Sequence, residues 1–180
     1  KINIPLKIHS ISISREPQQS LEAVARKERY AILQNAINKN CILVTGHHLD
    51  DQAETLLLQL FRGSGVKGLA SMPISQNFGN GLHVRPLLQV SRDSIYQYAT
   101  KNHLNTIHDD SNDDTKFTRN YIRHQVMPLL KNQWPSISSS LCRSSQHCAD
   151  ADHLLKTYAN ETIPNLSQPT INITSLKNHS

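Results

Sequence analysis

The first forty-five residues alternate between strand-like and helix-like hydrophobic patterns. Apolar and polar positions alternate over residues 2–9, which predicts a strand. Ser20 can cap a helix that carries an apolar stripe and runs to about Asn38. Residues 41–44 form a continuous apolar run, which predicts a strand buried on both faces, as in a parallel sheet.

The same alternation continues to about residue 102. A helix is predicted from five apolar positions at helical spacing, which together form a full core stripe: Ala53, Leu56, Leu57, Leu60 and Phe61. A glycine-rich loop follows over residues 63–68, then a strand over residues 83–88, and then a helix from Ser91 to about Asn102. Strands that alternate with helices predict an α/β fold in which helices cross over a parallel sheet.

The composition of the chain changes near residue 131. We predict that residues 1–130 form the α/β part and that residues 131–180 begin a second, mostly helical segment. Ile171 and Ile173 alternate with polar residues and predict a further strand near the end. Because the chain begins at Lys1 within a strand-like pattern, we expect residues of the complete protein to precede it.

Composition narrows the class of partner and the compartment. The 180 residues carry a net charge of +5, which suits a polyanion such as nucleic acid and equally suits an ordinary basic protein. The three cysteines form no C-x-x-C pair, which favours a reduced, cytoplasmic protein. No apolar run approaches the roughly 20 residues that a bilayer span needs, so we expect no membrane segment.

The strongest local signal is the motif T-G-H-H-L-D-D-Q-A-E, between a predicted strand and an amphipathic helix. Asp51 and Glu54 lie three residues apart on the face opposite the leucines, where two acids can bind an ammonium or, through Asp51, Mg²⁺. His47 can carry a proton or contact an anion. Capping of the helix by Asp50 or Asp51 is the competing interpretation. A zinc site is disfavoured because the histidines lack the H-E-x-x-H spacing.

Two pairs of arginines at helical spacing form the basic part of the pattern. Arg26 and Arg29 lie within one turn, and R-N-x-x-R places Arg119 and Arg123 on one face. Arginine suits bidentate contact with phosphate, although a solvated basic surface remains open for both pairs. The G-x-G-x-x-G letters at residues 63–68 follow a helix, so they do not predict a dinucleotide site.

Several motifs in this order together resemble the tRNA(Ile)-lysidine synthetases, within the N-type ATP-pyrophosphatases. They are A-R-x-x-R-Y, H-H-L-D-D-Q-A-E-T, R-G-S-G-x-x-G-L, R-P-L-L, D-x-S-N, R-N-Y-I-R and P-L-L, spread over residues 20–135. The resemblance implies a partial Rossmann-like fold of the adenine nucleotide alpha hydrolase type. Residues 1–130 would then be the C-terminal part of the ATP-pyrophosphatase catalytic domain, and residues 131–180 a helical linker or the start of a tRNA-binding region. It also implies a ligase that adenylates the C2 oxygen of the wobble cytidine with ATP and then joins lysine to C2.

The resemblance also implies residue roles. Asp51 and Glu54 would face the lysine, and His47 would lie beside the ATP. Three arginines would contact phosphates of ATP or of the tRNA and stabilise the charge of the leaving AMP: Arg29, Arg119 and Arg123. Contacts to tRNA would come from Arg26, Arg62 and Asn120. The implied cofactors are ATP and Mg²⁺, and the implied partners are tRNA(Ile) and free L-lysine. Whether the protein forms a homodimer is left open.

The chain departs from the family's pattern at one point. The phosphate-binding run S-G-G-x-D-S does not occur in it, so we expect these 180 residues alone to be inactive. Two other classes of function stay open. One is a tRNA thiolase on the same scaffold, which generally needs a cysteine near the site. The other is an RNA-binding module without catalysis, which has little use for paired acids that repel phosphate.

Overall fold

The computed structural model describes residues 4–11, 21–107 and 113–162. The described residues form two compact units, the first within residues 1–45 and 75–84, the second within residues 46–74 and 85–180. Three predictions lie outside the described residues: the Ser20 cap, the D-x-S-N motif at residues 109–112, and the strand at Ile171 and Ile173. No helix in the described ranges is long and apolar enough to cross a membrane.

The first unit combines one helix with a three-stranded sheet. Its elements are α1 (Leu21–Ala36), β1 (Ile42–Val44), β2 (Ser75–Phe78) and β3 (Gly81–Val84). The strand order is β1-β3-β2, with β1 parallel and β2 antiparallel to β3. A parallel pair needs a crossover connection, which agrees with the predicted α/β class. The helix predicted from Ser20 to Asn38 is confirmed as α1.

An aromatic group lies between α1 and the hairpin of this unit. Tyr30 of α1 packs edge-on against Phe78 of β2, with ring centroids 5.8 Å apart. His83 of β3 is fully buried, and its Nε2 lies 2.8 Å from the Thr45 hydroxyl oxygen. Edge-to-face packing of this kind stabilises the contact beyond simple burial of area. The hairpin between β2 and β3 turns at Gly79, whose φ of +56° lies in the left-handed region that glycine tolerates.

Three strand predictions for this region are wrong in part. Residues 4–11 carry no regular secondary structure, although an alternating strand was predicted over residues 2–9. The strand β1 exists but is not buried on both faces, because among the described residues it pairs only with β3; Ile42 is 58% and Val44 59% exposed. The strand predicted over residues 83–88 ends at Val84, since Pro86 lacks the N–H that a ladder requires.

The second unit is helical in the part that the structure describes. Its elements are α2 (Leu49–Phe61), α3 (Val66–Leu69), α4 (Arg92–Lys101), α5 (Thr118–Tyr121), a π turn (Ile122–Val126), α6 (Met127–Gln133) and α7 (Ile137–Thr162). α7 packs against α2 and α3. The core consists of four buried residues: Ala53, Leu57, Ile122 and Met127. The domain boundary predicted near residue 131 stays a prediction.

The structure refines three element predictions in this unit. The helix predicted from Ser91 to Asn102 is confirmed as α4, and the Ser91 hydroxyl accepts a hydrogen bond from the Ser94 N–H. The core stripe predicted on α2 is wrong at its end, since Leu60 and Phe61 are more than half exposed. The loop predicted over residues 63–68 instead contains the start of the short helix α3.

Candidate active site

The first turn of α2 is held by a reciprocal cap. The backbone N–H of His48 donates to Asp51 Oδ2 over 3.0 Å, and the Asp51 N–H donates to His48 Nδ1 over 3.3 Å. His48 therefore takes the place that serine or threonine fills in most capping boxes. The capping interpretation is correct for Asp51, whose side chain is fixed in direction by this cap.

Glu54, one turn further along α2, receives two arginines. Arg123 donates from Nε to Oε1 over 2.7 Å and from Nη2 to Oε2 over 2.9 Å, which is a bidentate pair. Arg119 donates from Nε to Oε2 over 3.0 Å. The Glu54 side chain is only 2% exposed. A carboxylate so deeply buried requires this many donors, because an unpaired charge away from water is very unfavourable.

Asp51 binds the same two arginines from the other side. Its Oδ1 accepts from Arg119 Nη2 over 3.1 Å and from Arg123 Nη2 over 2.9 Å. We call Asp51, Glu54, Arg119 and Arg123 the acid–arginine cluster. Its two negative and two positive charges balance. The hydrogen bond to Glu54, opposed by burial, raises the pKa of Arg123 above its ordinary value, so this guanidinium stays charged.

The remaining hydrogen-bonding capacity of the arginines points to an anion. The bonds within the cluster use Nε and Nη2 of both residues and leave out Nη1. The Arg119 side chain is 26% exposed and that of Arg123 is 19% exposed, so each can still reach a ligand. Arginines whose orientation is already fixed lose little freedom on binding phosphate. The cluster is therefore suited to bind a phosphate or another compact anion.

Asp50, which lies next to the cluster, was predicted from the sequence only as a possible helix cap. Its Oδ1 accepts from Lys131 Nζ over 2.7 Å and from the Ser138 hydroxyl over 2.9 Å, while Oδ2 accepts from the Arg92 N–H over 2.9 Å. Burial acts to raise the pKa of Asp50, but these three donors outweigh it and lower the pKa to about 2. No spacing in the sequence connects Asp50 with residues so distant.

Gln52 is a second polar residue that sequence analysis missed. It is buried, and its side-chain amide forms two bonds with the backbone of Met72: Nε2 donates to the carbonyl over 2.9 Å, and Oε1 accepts from the N–H over 3.1 Å. The same Nε2 lies 3.3 Å from the Ser145 hydroxyl. The available signal was the position of this glutamine within the acidic motif at the start of a core-facing helix, because a polar side chain that is buried there must find backbone or side-chain partners.

The other predicted site residues lie outside the cluster. Asn120 is buried and donates to the Asp114 carbonyl over 3.0 Å, which indicates an anchoring role for its amide. Arg62 is exposed at the C-cap of α2, and His47 is half-buried before its start. In the first unit, Arg29 is exposed, and the Arg26 guanidinium stacks 5.0 Å from the centre of the Tyr30 ring. Their assigned roles stay predictions.

The cluster does not fit Mg²⁺ bound through Asp51. Both carboxylate oxygens of Asp51 already accept hydrogen bonds, and the two arginines supply the positive charge that a metal ion would bring. Across the ranges that the structure describes, no group of three or more histidine, cysteine, aspartate or glutamate side chains could hold a metal ion. Hard cations need several oxygen ligands, which this arrangement does not offer.

The fold and the motifs agree with one family of proteins. Residues 1–130 match the PP-loop domain, and the chain belongs to that family, whose fold is Rossmann-like and α/β. The chain is similar to the tRNA(Ile)-lysidine synthase of Coxiella burnetii, with 48% identity over 159 residues that cover 88% of this chain and 35% of the relative. It is likewise 43% identical to the enzyme of the same name from Pseudomonas fluorescens, over 94% of this chain and 38% of the relative. The chain thus spans about a third of the length of these curated relatives.

Proposed function

We propose that the complete protein joins L-lysine to the wobble cytidine of an isoleucine tRNA at the expense of ATP. The structural observation that carries the proposal is the acid–arginine cluster, in which buried carboxylates hold two arginines ready for an anion. The relatives named above are synthases acting on tRNA(Ile), which supports the same substrate here. Because the chain covers only part of those relatives, the activity is proposed for the complete protein.

The proposed reaction has two steps whose atoms balance. In the first, the C2 oxygen of the cytidine attacks the α-phosphorus of ATP, and pyrophosphate leaves. In the second, the ε-amine of lysine, after losing its proton, forms a bond to C2, and the C2–O bond breaks with its electron pair leaving on AMP. Negative charge develops on phosphate oxygens in both steps, so preorganised cations at those oxygens lower the barrier.

Arg119 and Arg123 are the proposed phosphate contacts. Their Nε and Nη2 groups are engaged by Asp51 and Glu54, so Nη1 is the group that would meet a phosphate oxygen. The acids orient both forks before the ligand arrives, which removes part of the entropic cost of binding it. Arg29 is proposed as a further phosphate contact, and Mg²⁺ would accompany the ATP phosphates and not bind Asp51.

Asp51 is the better of the two acids for contact with the lysine ammonium. Its side chain is 11% exposed, against 2% for Glu54, so an incoming cation could approach Asp51 without opening the core. Both acids already share charge with the arginines, and a lysine cation would therefore bind weakly until an anion occupies the arginines. His47 is proposed to take the proton that the ammonium must lose before it attacks.

The remaining roles belong to the same proposal. Arg26, Arg62 and Asn120 are proposed as tRNA contacts, with Arg26 and Arg62 the more suitable because both are exposed. We infer a cytoplasmic protein from its tRNA substrate. A tRNA thiolase is disfavoured: Cys142 donates to the Leu49 carbonyl, and burial together with Asp50 raises its pKa to about 11, which makes the thiol a poor nucleophile.

The test is incorporation of radiolabelled lysine into an isoleucine tRNA transcript by the complete protein, with and without ATP. We expect ATP-dependent labelling, and we expect Asp51→Ala to raise the KM for lysine more than the KM for tRNA. The 180 residues alone should give no labelling. Labelling without ATP, or none by the complete protein, contradicts the proposal, and unchanged lysine kinetics in Asp51→Ala contradicts the role of Asp51.

A further inference from the structure

The helical stretch over residues 118–133 is tied to α2 at both ends. It runs through α5, the π turn and α6 without interruption. Arg119 and Arg123 near its beginning bind Asp51 and Glu54, and Lys131 near its end binds Asp50. We call this stretch the arginine helix. Three acids from the first two turns of α2 thus hold three cations of one helix.

The π turn brings these cations to the same side. In a regular α-helix each residue turns by about 100°, so the eight residues from Arg123 to Lys131 would leave Lys131 about 80° away from Arg123. A π turn contains one more residue per turn than an α-helical turn, so it reduces the angle between the two side chains by about that amount. Arg123 is the second residue of the π turn Ile122–Val126, so the rest of the turn lies between Arg123 and Lys131. Lys131 consequently reaches the same row of acids as Arg123.

Asp50, which pairs with Lys131, also forms hydrogen bonds with two other helices. Besides Lys131, its carboxylate accepts from the Ser138 hydroxyl of α7 and from the N–H of Arg92, the first residue of α4. Asp50 and Ser138 are both buried. Four helical elements therefore meet at one carboxylate, whose covalent neighbour Asp51 belongs to the acid–arginine cluster. A fixed network of this kind leaves the cluster little freedom to rotate.

We propose that Asp50 is a positioning residue, which acts through Lys131 to hold the arginine helix in the rotation that aims Arg119 and Arg123. Among the described residues, Asp50 forms no hydrogen bond or ion pair with either arginine, although its charge contributes to the raised pKa of Arg123. Asp50 needs no contact with a substrate. Loss of the Lys131 charge releases the far end of the helix and lets both guanidinium groups reorient. The inference rests on the proposed function only where enzymatic activity is measured.

The chain offers a matched control for the loss of one lysine charge. Lys156 and Asp152 also form a lysine–aspartate pair, on α7, but the Lys156 side chain is 58% exposed and no arginine of the cluster depends on it. Lys131→Met and Lys156→Met remove the same charge and leave the same length of side chain. Lys131→Arg retains the positive charge and should restore the position of the arginine helix.

The direct readout is exchange of the arginine Nε protons with water, followed by ¹⁵N NMR on the 180-residue chain. Both Nε–H groups donate to Glu54 and should be protected. We expect Lys131→Met to speed their exchange about tenfold while the fold is retained, because local opening governs exchange. Lys156→Met and Lys131→Arg should leave the rates unchanged. Unchanged rates in Lys131→Met, or an equal rise in Lys156→Met, overturns the proposal.

Two further measurements extend the test, and the first of them does not require Lys131→Met to fold. Ser138→Ala removes one donor to Asp50 without removing a charge, and it should speed exchange by a smaller factor, about two- to threefold. In the complete protein, Lys131→Met should lower kcat about tenfold and change the KM for tRNA less than twofold. A protein that makes no lysidine but shows the exchange effect refutes the proposed function and leaves the positioning role standing. A protein with the wild-type kcat in Lys131→Met overturns the role.

Discussion

The start of α2 and the strand before it reverse the usual relation between polarity and burial. Counted as whole residues, Asp50, Asp51 and Glu54 are at most 8% exposed, although all three are acids. Ile42 and Val44 of β1, only a few residues earlier, are 58% and 59% exposed, although both are aliphatic. Acidic residues are seldom this buried unless they are paired, whereas single exposed aliphatic residues are common.

The difference shows that the burial of a residue depends on which other residues pack against it or bind it. Donors for the three acids come from Arg119, Arg123 and Lys131, which lie 65 or more residues later in the chain. For β1, the described residues supply a single neighbouring strand, β3. Hydrophobic periodicity thus predicts that an element exists, while packing partners decide which of its faces is covered.

The largest effect is expected from removing a buried acid. Glu54→Ala should lower the free energy of unfolding by about 3–5 kcal/mol, because it leaves two arginine groups partly buried without their partner. Denaturation of the 180-residue chain in urea measures this change. Asp152→Ala is the matched control, since Asp152 pairs with an exposed lysine four residues away; it should cost at most about 0.5 kcal/mol. Equal losses in the two variants would contradict the importance of the buried pairing.

The next effect concerns pH and Asp50. Its pKa is about 2 in the folded chain, against an ordinary value of 3.8, so its ionised form stabilises the fold above about pH 4. This stabilisation, about 2 kcal/mol, should disappear as the pH falls from about 5 toward 2. In urea unfolding at a series of pH values, the free energy of unfolding should fall less steeply at acid pH for Asp50→Asn than for the wild type. If the free energy of unfolding of the two proteins changed with pH in the same way, ionisation of Asp50 would not stabilise the fold.

The smallest effect is expected on the exposed strand. Val44→Thr should change the free energy of unfolding of this chain by less than about 0.5 kcal/mol, because the side chain is largely in water and threonine keeps the β-branched shape. Leu57→Ala, in the core of the second unit, should cost about 2–4 kcal/mol under the same conditions. A Val44→Thr loss comparable with that of Leu57→Ala would mean that β1 is covered in solution.

Much of the local structure was predictable, and the cluster was predictable only in part. The helix α1 follows from apolar spacing, and Ser91 marks the start of α4. The R-N-x-x-R spacing correctly placed Arg119 and Arg123 on one face. The acids on the face of α2 opposite the leucines were also identified. The sequence did not predict that arginines would cover this face.

The remaining features depend on contacts between distant residues. Asp50 serves α4, α6 and α7 at once, and no local pattern predicts three donors that converge from separate elements. The π turn has no reliable sequence signature, yet it sets the side to which Lys131 points. The exposure of Leu60 and Phe61 likewise reflects the absence of a covering element among the described residues, since their helical spacing is that of a core stripe.

The central claim is that two arginines oriented by buried carboxylates meet the negative charge of a nucleotide. Arg123→Lys in the complete protein tests it most directly, because lysine keeps the charge and loses the bidentate fork that Glu54 holds. Lysidine formation should fall about 100-fold in kcat, with a change of less than twofold in the KM for tRNA. Arg143→Lys, at an exposed arginine of α7 that has no role in the proposed site, should stay within twofold of wild type. An Arg123→Lys enzyme with wild-type kcat would contradict the claim.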